Sequence, residues 1–337
     1  MKDFLDKYDT VIFDMDGVIT SEQNYWNSAA LTVREYLSSA KYFGDKAIDA
    51  GGLSADALRI RAEVFSEDKL INELKSRGVN SNWDLGYVTV LISLITGTDE
   101  PGTILEYASG LSVNILDEYD ILAEAAAAAL GKDKAYTERN GELWTAMRDC
   151  FQEWFLGDEI FTEQYGREPA EVGKPGLLHS ERPIIPMDKL IALLEGLSKE
   201  KRVCTGTGRP YAELITPLRA WDAEKYFAKN GLCSYDDVAA AEKRLGETAL
   251  TKPHPYMFLK ALYGTDYDDA RILAGDYDKA KIERTLVVGD AGADILAAKA
   301  MGADFCAVLT GVAGEGARGY FEELGAEYIL PSAAELL

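Results

Sequence analysis

Apolar positions along the chain come in two textures. Tyr8-Asp9-Thr10-Val11-Ile12-Phe13 is a short β-branched and aromatic run that stops at Asp14. It predicts a buried parallel strand with polar residues at its carboxyl end. From Ser21 to Leu178 the spacing becomes helical, with Leu31, Tyr36 and Leu37, then Leu91, Leu94 and Ile95. The stretch Ile121 to Leu130 carries five consecutive alanines before Gly131, a close-packed helix followed by its stop signal. A loop rich in Gly and Pro ends this texture, Gly173-Lys174-Pro175-Gly176 and then Arg182-Pro183 to Pro186.

Beyond that loop, strands alternate with helices. Met187, Leu190, Ile191, Leu194 and Leu197 form one helical face. Arg202-Val203-Cys204 leads a strand into Thr205-Gly206-Thr207-Gly208-Arg209-Pro210, and Pro210 suits the first turn of a helix carrying Leu214, Leu218 and Trp221. Thr285-Leu286-Val287-Val288-Gly289 is a strand that ends at Asp290. A helix over Asp294 to Met301 stops at Gly302, Phe305 to Leu309 returns as a strand, and Glu327 to Leu330 supplies the last. This rhythm predicts an α/β protein, a Rossmann-like parallel sheet with helices on both faces. The core draws on residues 1–20 and 183–337, interrupted by an all-helical insertion over 21–182. There is no internal repeat.

Composition narrows the chemistry. The 337 residues are 47% hydrophobic and 27% charged, an ordinary globular balance, so a mainly disordered chain is excluded. Thirty-five Lys and Arg against 57 Asp and Glu give a net charge of −22. Such a surface repels nucleic-acid backbones and anionic lipid, so neither is an expected partner. Two histidines, His179 and His254, leave almost no material for a Ser-His-Asp relay or a His-rich zinc site. Four scattered cysteines, with no CxxC, read as reduced core thiols. With no signal sequence and no apolar run long enough to span a bilayer, a cytoplasmic location is expected. Carboxylate is what remains abundant, and carboxylates bind hard cations such as Mg²⁺.

Open parallel sheets bind ligands beyond the carboxyl ends of their strands. Asp14 and Asp16 follow the first strand, Thr207 the next and Asp290 a third, while Lys252 lies in the loop Thr251-Lys252-Pro253-His254-Pro255. Each alone has a plainer explanation. Asp14 and Asp16 are acceptable turn formers around Gly17, Thr207-Gly208 is ordinary turn chemistry, and Lys252 is one lysine among many. Asp290 and Asp294 suit a helix N-terminus by charge. Together, carboxylates, a hydroxyl and an ammonium suit metal-assisted phosphoryl transfer.

In this order, FDMDGVIT, TGTGRP, TKPHP and VVGDAGAD resemble motifs one to four of the haloacid dehalogenase-like hydrolase superfamily. The resemblance implies that Asp14 is a nucleophile that becomes an aspartyl-phosphate, and that Asp16 is the general acid/base. It further implies that Thr207 holds phosphoryl oxygens and that Lys252 neutralises charge between nucleophile and phosphate. Asp290 would complete a Mg²⁺ site with a carboxylate oxygen of Asp14 and the backbone carbonyl of Asp16, with Asp294 behind it. Thr205-Gly206 repeats Thr207-Gly208, and Thr207 is preferred because TGRP runs straight into the helix. Gly208 and Arg209 are candidate substrate contacts, the guanidinium being suited to a phosphate or a carboxylate. The insertion stands where the family places its helical type-one cap, which closes over the site and reads the leaving group.

No motif in the insertion identifies a substrate. Glu22, Asn24, Trp26, Arg34, Asn82, Trp83, Tyr87 and Gly157-Asp158 are candidate contacts whose plainer reading is structural, Trp154 and Phe155 read as core, and His254 is given no catalytic role. The expected activity is a Mg²⁺-dependent phosphatase acting on a small phosphorylated metabolite. A phosphomutase is the first alternative, because DGVIT also resembles β-phosphoglucomutases. A dehalogenase would lack Asp16, and a phosphonatase would need an imine-forming cap lysine that nothing singles out. A non-catalytic regulatory protein on the same fold would have no use for the acid/base.

Overall fold

The computed structural model describes residues 2–79, 81–247 and 249–337. The chain forms two compact units, one from Met1–Glu22 with Glu181–Leu337, the other from Gln23–Ser180.

The first unit is built on a parallel six-stranded sheet: β1 Thr10–Phe13, β2 Arg202–Gly206, β3 Leu232–Cys233, β4 Thr285–Gly289, β5 Asp304–Val308 and β6 Tyr328–Leu330. Their order is β3-β2-β1-β4-β5-β6. Successive side chains of a strand point to opposite faces, and both faces here are covered. Val11 and Phe13 pack with Leu190, Leu194, Leu214, Leu218 and Val288 on one side. Ile12 and Val287 pack with Phe258, Ile295 and Ala298 on the other. That explains the unbroken apolar runs, since alternation would leave one face wet. The two-residue strand β3 was not anticipated; it is too short to show a period.

In this order the succession of strands switches from one side of β1 to the other at β4, and open parallel sheets bind ligands beyond the carboxyl ends at such a switch point. Register brings the ends together, with Phe13 opposite Val288, and the Asp14 amide donates to the Val288 carbonyl at 2.9 Å. Asp14 and Asp290, each just past a strand, therefore emerge side by side. All four cysteines are buried and unbridged.

The second unit is helical, with Gln23–Ser38, Asn82–Thr96, Tyr119–Leu130 and Glu142–Tyr165 as its longest helices. The alanine-rich helix ends on Gly131 in the left-handed conformation, as the sequence predicts. The helix Glu142–Tyr165 breaks at Gly157, where φ 79° and ψ 167° are closed to other residues at low cost. A Cβ there would also lie 2.8 Å from the backbone at Pro175 and Gly176, so the Gly/Pro loop is pressed against the break. Asp158 secures that loop by accepting the Gly173 and Lys174 amides at 2.6 and 3.0 Å.

Lys174, which reads in sequence as a loop residue, is fully buried in this unit. Its ammonium lies 2.8 Å from Glu35 and 2.6 Å from Glu153, beside Cys150 and over the Trp154 ring. Among the described residues no helix is long and apolar enough to cross a membrane.

Candidate active site

Four sequence segments meet at the switch point. Asp14, 7% exposed, faces the Lys252 ammonium at 2.9 Å. Lys252 also bonds Asp294 at 2.7 Å and leans on the Gly206 carbonyl at 3.4 Å. Its peptide bond to Pro253 is cis. Asp294 sits in the first turn of the helix Gly292–Met301 and accepts the Ala291 amide at 3.2 Å, closing that helix start.

Asp14, Asp290 and Asp294 each offer a carboxylate oxygen within 4.8 Å of the others. Asp290 is wedged between two glycines; a Cβ at Gly17 or at Gly311 would lie 2.1 Å from its Oδ2. Gly17 also has φ +69°, so this position requires glycine twice over.

Electrostatics follow from this crowding. Burial pushes the Asp14 carboxyl up to about 7, with Lys252 pulling it back and Asp294 and Asp16 adding to the rise. Burial also raises Asp290 well above the usual carboxylate range, reinforced by Asp294, Asp14, Glu22 and Asp16. For Lys252 burial opposes the charge, but Asp14 and Asp294 outweigh it and hold the ammonium above its ordinary value. One ammonium thus faces an excess of carboxylate, and the donors are hard oxygens that fit Mg²⁺. A second acidic group, Glu35, Cys150 and Glu153, also lies within 4.8 Å, but there the Lys174 ammonium already supplies the positive charge.

Of the two threonines, Thr205 lies inside β2 and donates to the Phe13 carbonyl at 2.8 Å. Thr207 stands just past the strand, its hydroxyl accepting the Arg209 amide at 3.2 Å. Gly208 is exposed, with open space where a Cβ would sit. Arg209 differs from its suggested contact with substrate. Its side chain is 2% exposed, and the guanidinium is surrounded by carboxylates rather than turned outward. It bonds both oxygens of Asp16, at 2.5–3.1 Å, and Glu181 at 2.6 and 2.8 Å. Burial raises the Glu181 carboxyl, which Arg209 counteracts. Glu181 was missed in the sequence, because an isolated acid before Arg182-Pro183 carries no local signal. The Nδ1 of His254 accepts the Tyr256 amide at 3.1 Å, a loop-shaping role.

Most of the candidates in the insertion serve the helical unit itself. Asn24 bonds the Leu177 carbonyl, Arg34 pairs with Glu63, Trp83 reaches Gln152 and the Tyr87 hydroxyl bonds the Thr137 carbonyl. Trp26 lies under the Arg61 guanidinium, and Trp154 and Phe155 are core. Asn82 begins the helix Asn82–Thr96. Glu22 instead belongs to the α/β unit and adds to the negative field at Asp290.

The HAD-hydrolase-like family model matches residues 249–336. No curated protein matches the chain. Among solved structures, an X-ray structure determined as a structural-genomics target is 29% identical, covers 97% of this chain and 97% of its own, and superposes with a TM-score of 0.85. Phosphatase Tt82 from Thermococcus thioreducens is 18% identical over 88% of this chain and 90% of its own, with a TM-score of 0.50, a likeness of fold. The parallel sheet, the polar motifs at its strand ends and the matched segment 249–336 agree in supporting a haloacid dehalogenase-like hydrolase fold, interrupted between Glu22 and Glu181 by an inserted helical unit.

Proposed function

We propose that the protein is a Mg²⁺-dependent phosphatase that hydrolyses a small phosphomonoester through an aspartyl-phosphate on Asp14. The observation that carries this reading is Asp14 at the switch point, 2.9 Å from Lys252 and clustered with Asp290 and Asp294. In the first step an Asp14 oxygen attacks phosphorus while Asp16 gives its proton to the departing alkoxide. In the second, Asp16 takes a proton from water, whose oxygen attacks phosphorus and returns Asp14 as carboxylate. The Lys252 ammonium offsets repulsion between the Asp14 carboxylate and the phosphate, and the Thr207 hydroxyl holds a phosphoryl oxygen. Mg²⁺, held by Asp14, Asp290 and the Asp16 backbone with Asp294 behind them, would add neutralising charge at the phosphoryl group.

The buried cap lysine does not suit imine chemistry. Burial works against the Lys174 charge, yet Cys150, Glu35 and Glu153 together hold it above its ordinary value, which keeps this amine in its charged form.

The reading is tested with p-nitrophenyl phosphate and a panel of phosphorylated metabolites, in Mg²⁺ and in EDTA, with products analysed in ¹⁸O-water. Phosphate carrying the label, released only with metal, is expected. Isomer formation with almost no free phosphate and a need for a bisphosphate primer would replace phosphatase by mutase. Turnover undiminished in EDTA would remove the metal. By titration calorimetry, Asp290→Ala should weaken Mg²⁺ binding, with activity recovering only in part at high metal. Calcium should bind yet support little turnover, since it tolerates looser coordination than the Mg²⁺ octahedron. Unchanged Mg²⁺ affinity in the variant would take Asp290 out of the metal's coordination.

A further inference from the structure

Arg209 lies at the crossing of two chain segments. The chain leaves the α/β unit after Glu22 and returns at Glu181. Just inside those points the outgoing and returning segments run side by side. The Ser21 amide donates to the Arg182 carbonyl at 3.2 Å, the Ile184 amide to the Ile19 carbonyl at 2.9 Å, and Thr20 forms an antiparallel bridge with Pro183. Asp16 stands at the start of the outgoing segment and Glu181 at the start of the returning one. The guanidinium joins them, and it also donates to the Glu213 carbonyl at 3.3 Å.

The two carboxylates are not equivalent. The Glu181 side chain is 1% exposed, whereas that of Asp16 is 32% exposed. A pair kept only for fold stability has no reason to leave one partner a third exposed. One end of this triad is a buried anchor, and the other is a partly exposed carboxylate two residues beyond Asp14. A planar fork suits the task, because several donors at fixed angles orient a carboxylate where a single ammonium would only attract it.

We propose that Arg209 and Glu181 are positioning residues for Asp16: Glu181 fixes the guanidinium, and the guanidinium fixes the direction in which Asp16 presents its oxygens to a leaving group. The inference rests on the phosphatase reading and deepens it. Both side chains are buried, so their role runs through Asp16 rather than through contact with substrate. Loss of the fork leaves Asp16 the long 3.3 Å bond from the Thr20 hydroxyl, which does not fix its direction, so transfer of a proton to a poor leaving group suffers, while expulsion of a good one does not.

Two aryl esters of similar shape separate these cases. Phenyl phosphate needs its leaving oxygen protonated, and 2,4-dinitrophenyl phosphate does not. The quantity read is the ratio of kcat/KM for the two, which covers the chain up to departure of the leaving group and cancels the fraction of folded enzyme. Arg209→Lys should lower that ratio about 100-fold and Glu181→Gln about tenfold, within the range general acid catalysis supplies. Glu181→Gln keeps the shape and a hydrogen bond to Arg209, so it serves if Arg209→Lys does not fold. Asp16→Asn is the reference and should lower the ratio at least as far as either. If Asp16→Asn lowers it and the other two variants leave it at the wild-type value, the positioning role is overturned while the phosphatase reading stands. If Asp16→Asn itself leaves the ratio unchanged, the acid assignment fails and takes the inference with it.

Discussion

Asp14→Asn is expected to reduce phosphate release below about a thousandth of the wild-type rate, because covalent catalysis supplies at least that much and an amide cannot replace the carboxylate as nucleophile. The fold should survive. Asp14 is buried among like charges and its carboxyl is pushed up to about 7. Keeping it ionised therefore works against folding until a cation arrives. Lys252 retains Asp294 at 2.7 Å, so no ammonium is orphaned by the change. In EDTA the variant should melt at the wild-type temperature or above. Substantial residual turnover in a correctly folded variant would mean that another group attacks phosphorus.

The second large effect lies in the helical unit. Lys174→Met should destabilise that unit by about 3–5 kcal/mol, the usual cost of removing one partner from a buried ion pair. Here the loss takes the shared ammonium from two carboxylates that are at most 1% exposed, Glu35 and Glu153, the latter keeping Arg167 at 4.0 Å. It also loosens the loop that Asp158 secures. Trp26, Trp83, Trp144 and Trp154 all lie in this unit, so urea unfolding followed by fluorescence reports on it directly. Replacing Glu35 and Glu153 by glutamine in the same chain should restore much of the loss, because the stranded charges are then gone. A midpoint that does not move in Lys174→Met would show that the ammonium contributes nothing net.

The parallel sheet and the polar groups at its ends were legible because burial on both faces forces long apolar runs, and each run stops abruptly at a carboxylate or a hydroxyl. Asp14 after Phe13 and Asp290 after Gly289 are local signals of that kind. Strand β3 was not legible; two residues cannot show a period, and its pairing comes from β2. Lys174 was hidden for a different reason. Its neighbours Gly173, Pro175 and Gly176 read as an exposed turn, and only the packing of distant helices turns that segment inward. The partnership of Arg209 with Glu181 and Asp16 is likewise tertiary, joining residues 28 and 193 positions apart. Sequence showed a guanidinium beside the site but not which anion it would meet.

The central claim is that phosphorus is carried on Asp14. During turnover of p-nitrophenyl phosphate with Mg²⁺, the enzyme is quenched in acid and treated with borohydride, which reduces an acyl-phosphate to the alcohol but leaves a free carboxylate intact. Peptide mass analysis should then show position 14 converted to homoserine, with Asp16 and Asp290 unchanged and no conversion when substrate is withheld. Conversion at a different carboxylate, or none while phosphate is being released and an Asp16→Asn variant is used to slow the second step, would contradict it.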